Sequence, residues 1–149
     1  IDNGRLTTLL HTLKTAKKDG TESTGNGSRA SYKSTLSIAP SNIYVEKGSK
    51  SLVEIFNSIG QGVYITELQG LHSGLNPVSG DFSLSASGYE IIDGKIKRPI
   101  NQITIAGNFF EVLKNIEEVG EDLKFGIPGG SYFGSPSIKI SALSISGEW

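Results

Sequence analysis

Residues 82–98 constrain the fold more than any other stretch. From Phe82 the sequence alternates, with Phe82, Leu84 and Ala86 on one side and Ser83, Ser85 and Ser87 on the other. A period of two marks a strand with one face for a core and, here, one face of small hydroxyls. After Gly88 comes Tyr89-Glu-Ile-Ile92, then Asp93-Gly94, then Lys95-Ile-Lys-Arg98. Asp-Gly between two such runs requires positive φ at both turn positions and predicts a hairpin with a type I′ turn. A strand leading into a hairpin commits the middle of the chain to a sheet. The 19 glycines of this serine-rich sequence add the many turns that a sheet-dominated domain needs.

The alternating strand is entered through a long loop, because Gly70, Gly74, Asn76-Pro77 and Ser79-Gly80 all punctuate the backbone. Loops held on a rigid sheet are where binding residues often sit. Asp81, between a glycine and a strand, is expected to accept backbone amide bonds across the loop mouth in a structural role.

The flanking segments fill in the rest. Asn3-Gly4 is a two-residue hairpin signal followed by a strand over 5–10. The partner of that strand is expected before Ile1, so the sequence reads as a piece of a longer protein. Thr12 to Lys18 predicts a short helix, capped by Thr12, with lysines in its last turn and Gly20 as its stop. Thr21 to Ser34 is a polar exposed loop that lacks the strand and helix context of a phosphate-binding turn. A strand over 34–38 is broken at Pro40, with an extension at 43–45. Ser51-Leu-Val-Glu54 is a capping box, and Leu52, Ile55, Phe56 and Ile59 follow at helical spacing up to Gly60. A strand over 62–68 leads into the central loop, with Val63 and Ile65 on one face.

Beyond the hairpin, Pro99 is expected to break the chain before a new strand at 100–105. Asn108 then caps a helix with Phe109, Val112, Leu113 and Ile116 as its buried stripe, closed by Gly120. A short strand at 123–125, a second glycine-rich loop over 126–134 and edge-type strands at 137–140 and 143–145 complete the chain. The whole is expected to be one α+β domain over 1–149, a largely antiparallel sheet with two or three short helices.

Composition excludes several classes. A net charge of −1 and a pI near 6.1 supply no field for nucleic acid or an anionic membrane. No run of eighteen apolar residues exists to span a bilayer. With no cysteine, this chain has no disulfide, thiolate metal site or cysteine nucleophile of its own. His11 and His72 are isolated, with no second histidine three to five residues away, so neither is read as a metal ligand. His11 is placed on a strand among leucines. Glu117-Glu118 and Glu121-Asp122 read as a solvated charge run around a helix end. Ser79, Ser83 and Ser85 have no adjacent base and no strained elbow, so they are nucleophiles by letter alone.

Gly80-Asp-Phe-Ser83, Ala86-Ser-Gly88, Asp93-Gly94-Lys95, Pro99, Ile103-Thr-Ile-Ala-Gly-Asn108 and Val119-Gly-Glu-Asp122 recur at this spacing in the PmbA/TldD family. The segment from Leu6 to Gly25, Gly134-Ser-Pro-Ser137 and Leu143-Ser-Ile-Ser-Gly147 are similar to it as well. The chain resembles the C-terminal domain of the PmbA, or TldE, branch over nearly its whole length. The resemblance implies a cytoplasmic two-subunit peptidase. In it the TldD-type subunit carries zinc on a His-Glu-x-x-x-His helix, aided by a cysteine, and cleaves unfolded peptides in a chamber shared with its partner. An older family name is modulator of DNA gyrase. This chain has no His-Glu-x-x-x-His, and it reads Gly-Ile-Pro-Gly-Gly-Ser at 126–131 where the TldD branch has cysteine.

Three expectations follow. In the first, the domain holds substrate peptide and builds the subunit assembly, with no catalytic or metal residue of its own and zinc in a TldD-like partner. Its extended strands would bind peptide by edge pairing, and the parent would pair with a TldD-like subunit or with itself. The candidate peptide-binding or assembly loop is then His72, Gly74, Asn76, Gly80, Asp81, Phe82 and Ser83. In the second, the domain belongs to a self-sufficient zinc peptidase whose metal motif lies upstream of Ile1. In the third, it is a non-enzymatic modulator of DNA gyrase, against which the acidic balance argues.

Overall fold

A computed structural model describes residues 1–2, 5–127, 129 and 131–147. In chain order the elements are α1 (Leu13–Asp19), β1 (Gly27–Ser28), β2 (Ser37–Ile38), β3 (Asn42–Tyr44), α2 (Leu52–Asn57), β4 (Gln61–Gln69) and α3 (Leu71–Gly74). They continue with β5 (Asp81–Ile92), β6 (Lys95–Asn108), α4 (Phe109–Lys114), β7 (Ile116–Val119), β8 (Lys124–Phe125), β9 (Tyr132–Ser135), β10 (Ile138–Ile140) and β11 (Ser144–Ser146). The fold is α+β with mostly antiparallel sheets. The helix beyond the expected two or three is α3, a single turn inside the central loop. No helix among the described residues is long and apolar enough to cross a membrane. The chain divides into two compact units, Ile1–Glu46 with Leu123–Ser135, and Lys47–Asp122 with Pro136–Trp149.

The larger unit is built on a four-stranded antiparallel sheet in the order β11-β6-β5-β4. The alternation from Phe82 sets its core. Leu84, Ala86, Ile100, Ile103 and Ile105 are buried together, with Val63, Ile65, Phe82, Leu143 and Ile145 packed on them. Leu84 lies directly opposite Ile105, and Ala86 opposite Ile103, so the cross-strand pairs are also the core contacts. Asp93 and Gly94 have φ of 49° and 73°, the double positive φ of a type I′ turn. The turn docks on the link between α2 and β4: the Asp93 amide donates to the Gly60 carbonyl and the Gly94 amide to that of Ile59.

Pro99 does not break this hairpin, contrary to expectation. β6 runs through it, with Pro99 opposite Tyr89. The register shifts on both sides of it, at 100–103 and at 96–98. On the first side Asn101 and Gln102 together face the single residue Ser87, and Gln102 takes φ 58°. Between two bulges the ladder does not require the missing N–H, so a proline is accommodated.

Ser51 and Glu54 form the expected capping box, with the Ser51 amide 2.8 Å from Glu54 Oε2. Two neighbouring expectations fail. No residue of α4 is buried: Phe109, Phe110 and Leu113 are about half exposed, and Ile116 belongs to β7. Nor do the carboxylates of 117–122 form a solvated run. Glu117 and Glu118 lie within β7, which pairs with β10, and there Glu118 meets Lys50 at 2.8 Å and Glu117 meets Lys139 at 3.1 Å. Asp122 accepts from the Ser137 amide and hydroxyl at 2.9 and 2.8 Å.

The smaller unit holds α1, the β1-β2 pair and a three-stranded sheet in the order β3-β9-β8. Thr12 caps α1 and Gly20 ends it at φ 66°, as the sequence predicts. Residues 6–10 form no strand, and His11 is the buried residue just ahead of that cap. The leucines there are largely exposed and find no paired edge. The Asn3-Gly4 turn lies outside the described residues, while Asp2 and Arg5 on either side of it exchange backbone hydrogen bonds at 2.9 Å. The polar segment over 21–34 is not wholly loop, since Gly27 and Ser28 pair with β2. β3 and β9 run parallel, whereas the other paired strands among the described residues are antiparallel.

Candidate functional site

The loop from Gly70 to Gly80 is an ordered structure held by two asparagines. Asn76 Oδ1 accepts from the amides of Val78 and Ser79, at 2.9 and 3.2 Å. This side-chain turn closes with backbone bonds from Asn76 N to the Asp81 carbonyl and from Gly80 N to the Asn76 carbonyl. The second asparagine, Asn108, reaches in from the junction of β6 and α4. Its Nδ2 donates to the Ser79 carbonyl at 2.9 Å and to Asp81 Oδ1 at 2.8 Å, while its Oδ1 caps α4 by accepting from Phe110 N at 3.0 Å. One amide therefore ties the loop, the start of β5 and the start of α4 together.

The Asp81 carboxylate is bound at the loop mouth by a side-chain amide, in place of the backbone amides foreseen. The Asn108 bond, followed by one from Ser79, holds its carboxyl below the ordinary carboxylate range. Gly80 must be glycine for two reasons. Its φ is 82°, and a Cβ would sit 2.8 Å from the Phe110 ring.

The structure brings Asn76, Gly80 and Asp81 into one clasp. Gly74 packs on the Ser83 carbonyl, where a Cβ would collide with it. Phe82 turns inward toward the core, bridged to Leu75, and Ser83 points outward and is exposed. His72 is exposed on α3 and takes no part in the clasp. Sequence reasoning identified Asn108 as a cap and missed its bond to Asp81. Their separation of 27 positions hides the contact until β5 and β6 are paired, with Asp81 opposite Asn108.

Strand edges are unequally available. β5 is paired on both sides, so its serines offer a face and no edge. β4 ends the sheet: only β5 pairs with it among the described residues, and its positions 66–69 are exposed. A bulge at 65–67 interrupts its inner ladder, a feature that limits indiscriminate edge pairing.

The described residues do not fit a zinc ion. No three His, Cys, Asp or Glu side chains gather to hold a metal among the described residues. His11 Nδ1 lies 3.3 Å from Thr15 Oγ1 and 3.9 Å from Asp19 Oδ2, so its contacts are with the helix that follows it. The Ser79 hydroxyl accepts from the Asp81 amide at 3.3 Å.

Comparison with known proteins agrees across sequence and structure. A family model described as the PmbA/TldA metallopeptidase C-terminal domain matches residues 1–147. A metalloprotease TldD homolog of Buchnera aphidicola (from Schizaphis graminum) is 34% identical, covering 99% of this chain and 32% of that protein. The metalloprotease PmbA of Escherichia coli O157:H7 is 32% identical over 83% of this chain and 25% of its own. Among solved structures, TldE from Thermococcus kodakarensis superposes with a TM-score of 0.86 at 32% identity, over 99% of this chain and 33% of that one. A Thermotoga maritima protein, described as a suggested modulator of a DNA gyrase, gives 0.85 at 40% identity, over 98% and 32%. The chain therefore spans about a third of the length of the relatives it matches.

Proposed function

This chain belongs to the PmbA/TldD metallopeptidase family as a domain of its C-terminal type, and from that premise we propose that it holds substrate peptide and builds the subunit assembly, leaving the zinc to a TldD-like partner. The observation that carries this reading is the open edge of β4. An extended peptide laid along β4 on either side of the bulge, at 61–65 or 67–69, would find backbone donors and acceptors with no strand partner on that edge among the described residues. Main-chain pairing suits a substrate recognised because it is unfolded. The clasped loop beyond Gln69 fixes where that edge ends, and the exposed hydroxyls of Ser83 and Ser85 tolerate many neighbouring side chains.

The test mixes the full chain with a TldD-type subunit. The expected result is a stable complex on size-exclusion chromatography and hydrolysis of an unfolded peptide by the mixture. Hydrolysis by this chain alone with one equivalent of zinc retained, or no complex at all, would overturn it.

A further inference from the structure

The open edge of β4 has two chemically different sides. The Gly60 carbonyl accepts from the Asp93 amide, so Gly60 points toward β5. Alternation then turns the N–H and C=O of Gln61, Val63 and Ile65 away from β5, toward the open edge. The register skips Thr66, passing from Ile65 opposite Gly88 to Glu67 opposite Ser87. The bulge therefore leaves Val63, Ile65 and Leu68 on one face and Tyr64, Glu67 and Gln69 on the other.

The first face is apolar. Val63 and Ile65 pack on the buried cluster, and Leu68, opposite Ala86, is 42% exposed. Glu90, opposite Val63, is buried and already paired with Arg98 at 2.8 Å. The second face joins a ring to a carboxylate. The half-buried Tyr64 ring is held in a T-shaped pair with Phe56, 5.0 Å between centroids. With Thr66 taken up by the bulge, Tyr64 and Glu67 are successive on that face, about 7 Å apart along the strand. Glu67 is exposed and is the one charged residue of β4. Its carboxylate accepts from the Gln69 amide at 3.1 Å and forms no ion pair among the described residues.

From these observations we infer that the edge selects extended peptides in which apolar residues alternate with basic ones. Side chains opposite Val63 and Ile65 share their face and continue the apolar stripe. The lysine or arginine between them lies beside Tyr64 on the other face, its cation over the ring and against the Glu67 carboxylate. The inference rests on the proposed function for its premise that a peptide pairs along β4.

The experiment measures fluorescence anisotropy of labelled peptides with the full chain. The probes are Ser-Val-Lys-Val-Lys-Val-Ser, the same peptide with glutamine or glutamate for lysine, and its residues rearranged as Ser-Val-Val-Val-Lys-Lys-Ser. The lysine peptide is expected to bind roughly threefold tighter than the glutamine one, with the glutamate peptide weakest. Rearrangement takes a valine off the apolar face and should weaken binding roughly tenfold. Glu67→Lys, at an exposed site where folding is not at stake, should reverse the order of the lysine and glutamate peptides. Equal binding of those two peptides, an order unchanged by Glu67→Lys, or a rearranged peptide that binds as well as the alternating one would overturn the inference. N-methylation of every backbone amide of the lysine peptide should abolish binding. Lost selectivity with that sensitivity retained removes the inference alone. Binding indifferent to N-methylation, or no binding by any peptide, removes the edge reading of the proposed function and the inference with it.

Discussion

Ile103→Ala is the sharpest test of the packing described for the larger unit. Ile103 has no exposed surface and lies opposite Ala86 at the centre of the buried cluster. The substitution removes three carbons, worth about 2.4 kcal/mol at about 0.8 kcal/mol for each buried methylene. The strands on either side are pinned by their ladders, so the site collapses little and a cavity term adds to the loss. A total of about 3–4 kcal/mol follows. For a unit of ~90 residues unfolding by itself, each kcal/mol lowers Tm by about 5 °C, so the expected drop is about 15–20 °C. Calorimetry and thermal circular dichroism read it directly. Val53→Ala is the control, because Val53 is 66% exposed on the solvent side of α2 and should leave Tm nearly unchanged. A drop of less than about 5 °C for Ile103→Ala would refute the claim that β5 and β6 enclose a close-packed core.

Two further perturbations read other parts of the structure. At Gly88 a Cβ would run into the Tyr64 carbonyl oxygen and stand 3.0 Å from Ile65 Cα, whereas at Gly60 it would meet nothing within 4 Å. Gly88→Ala should therefore lower the denaturation midpoint far more than Gly60→Ala, and equal effects would contradict the close approach of β4 and β5. The Glu118 carboxyl is held below its ordinary range, first by its bond to Lys50. Its contribution is complete above the ordinary carboxylate range and is lost as pH falls through that range to the lowered folded value. Denaturant midpoints measured between about pH 6 and 3 should fall less steeply for Glu118→Gln than for the parent, and parallel profiles would sink the assignment.

What the sequence made legible was local. Asp93-Gly94 and the capping box at Ser51 each place their whole chemistry within four residues, and both appear as expected. The alternation from Phe82 identified the inward face because burial on one side of a strand leaves a period of two. The failures share the opposite property. Pro99 stays in a strand because bulges on both sides spare it a ladder bond, and bulges depend on a partner strand. The apolar side chains of α4 satisfied helical spacing, yet spacing alone does not say whether a core waits beneath them. The clasp of Asn108 on Asp81 joins residues distant in sequence, so it left no local mark.

Hydrogen exchange on the full chain, free and saturated with an unfolded peptide, tests the central claim most directly. If peptide is held along the open sheet edge, amides within Gln61–Gln69 slow on binding while those of β5, already paired on both sides, do not change. Bound peptide with unaltered exchange throughout β4 would contradict the account.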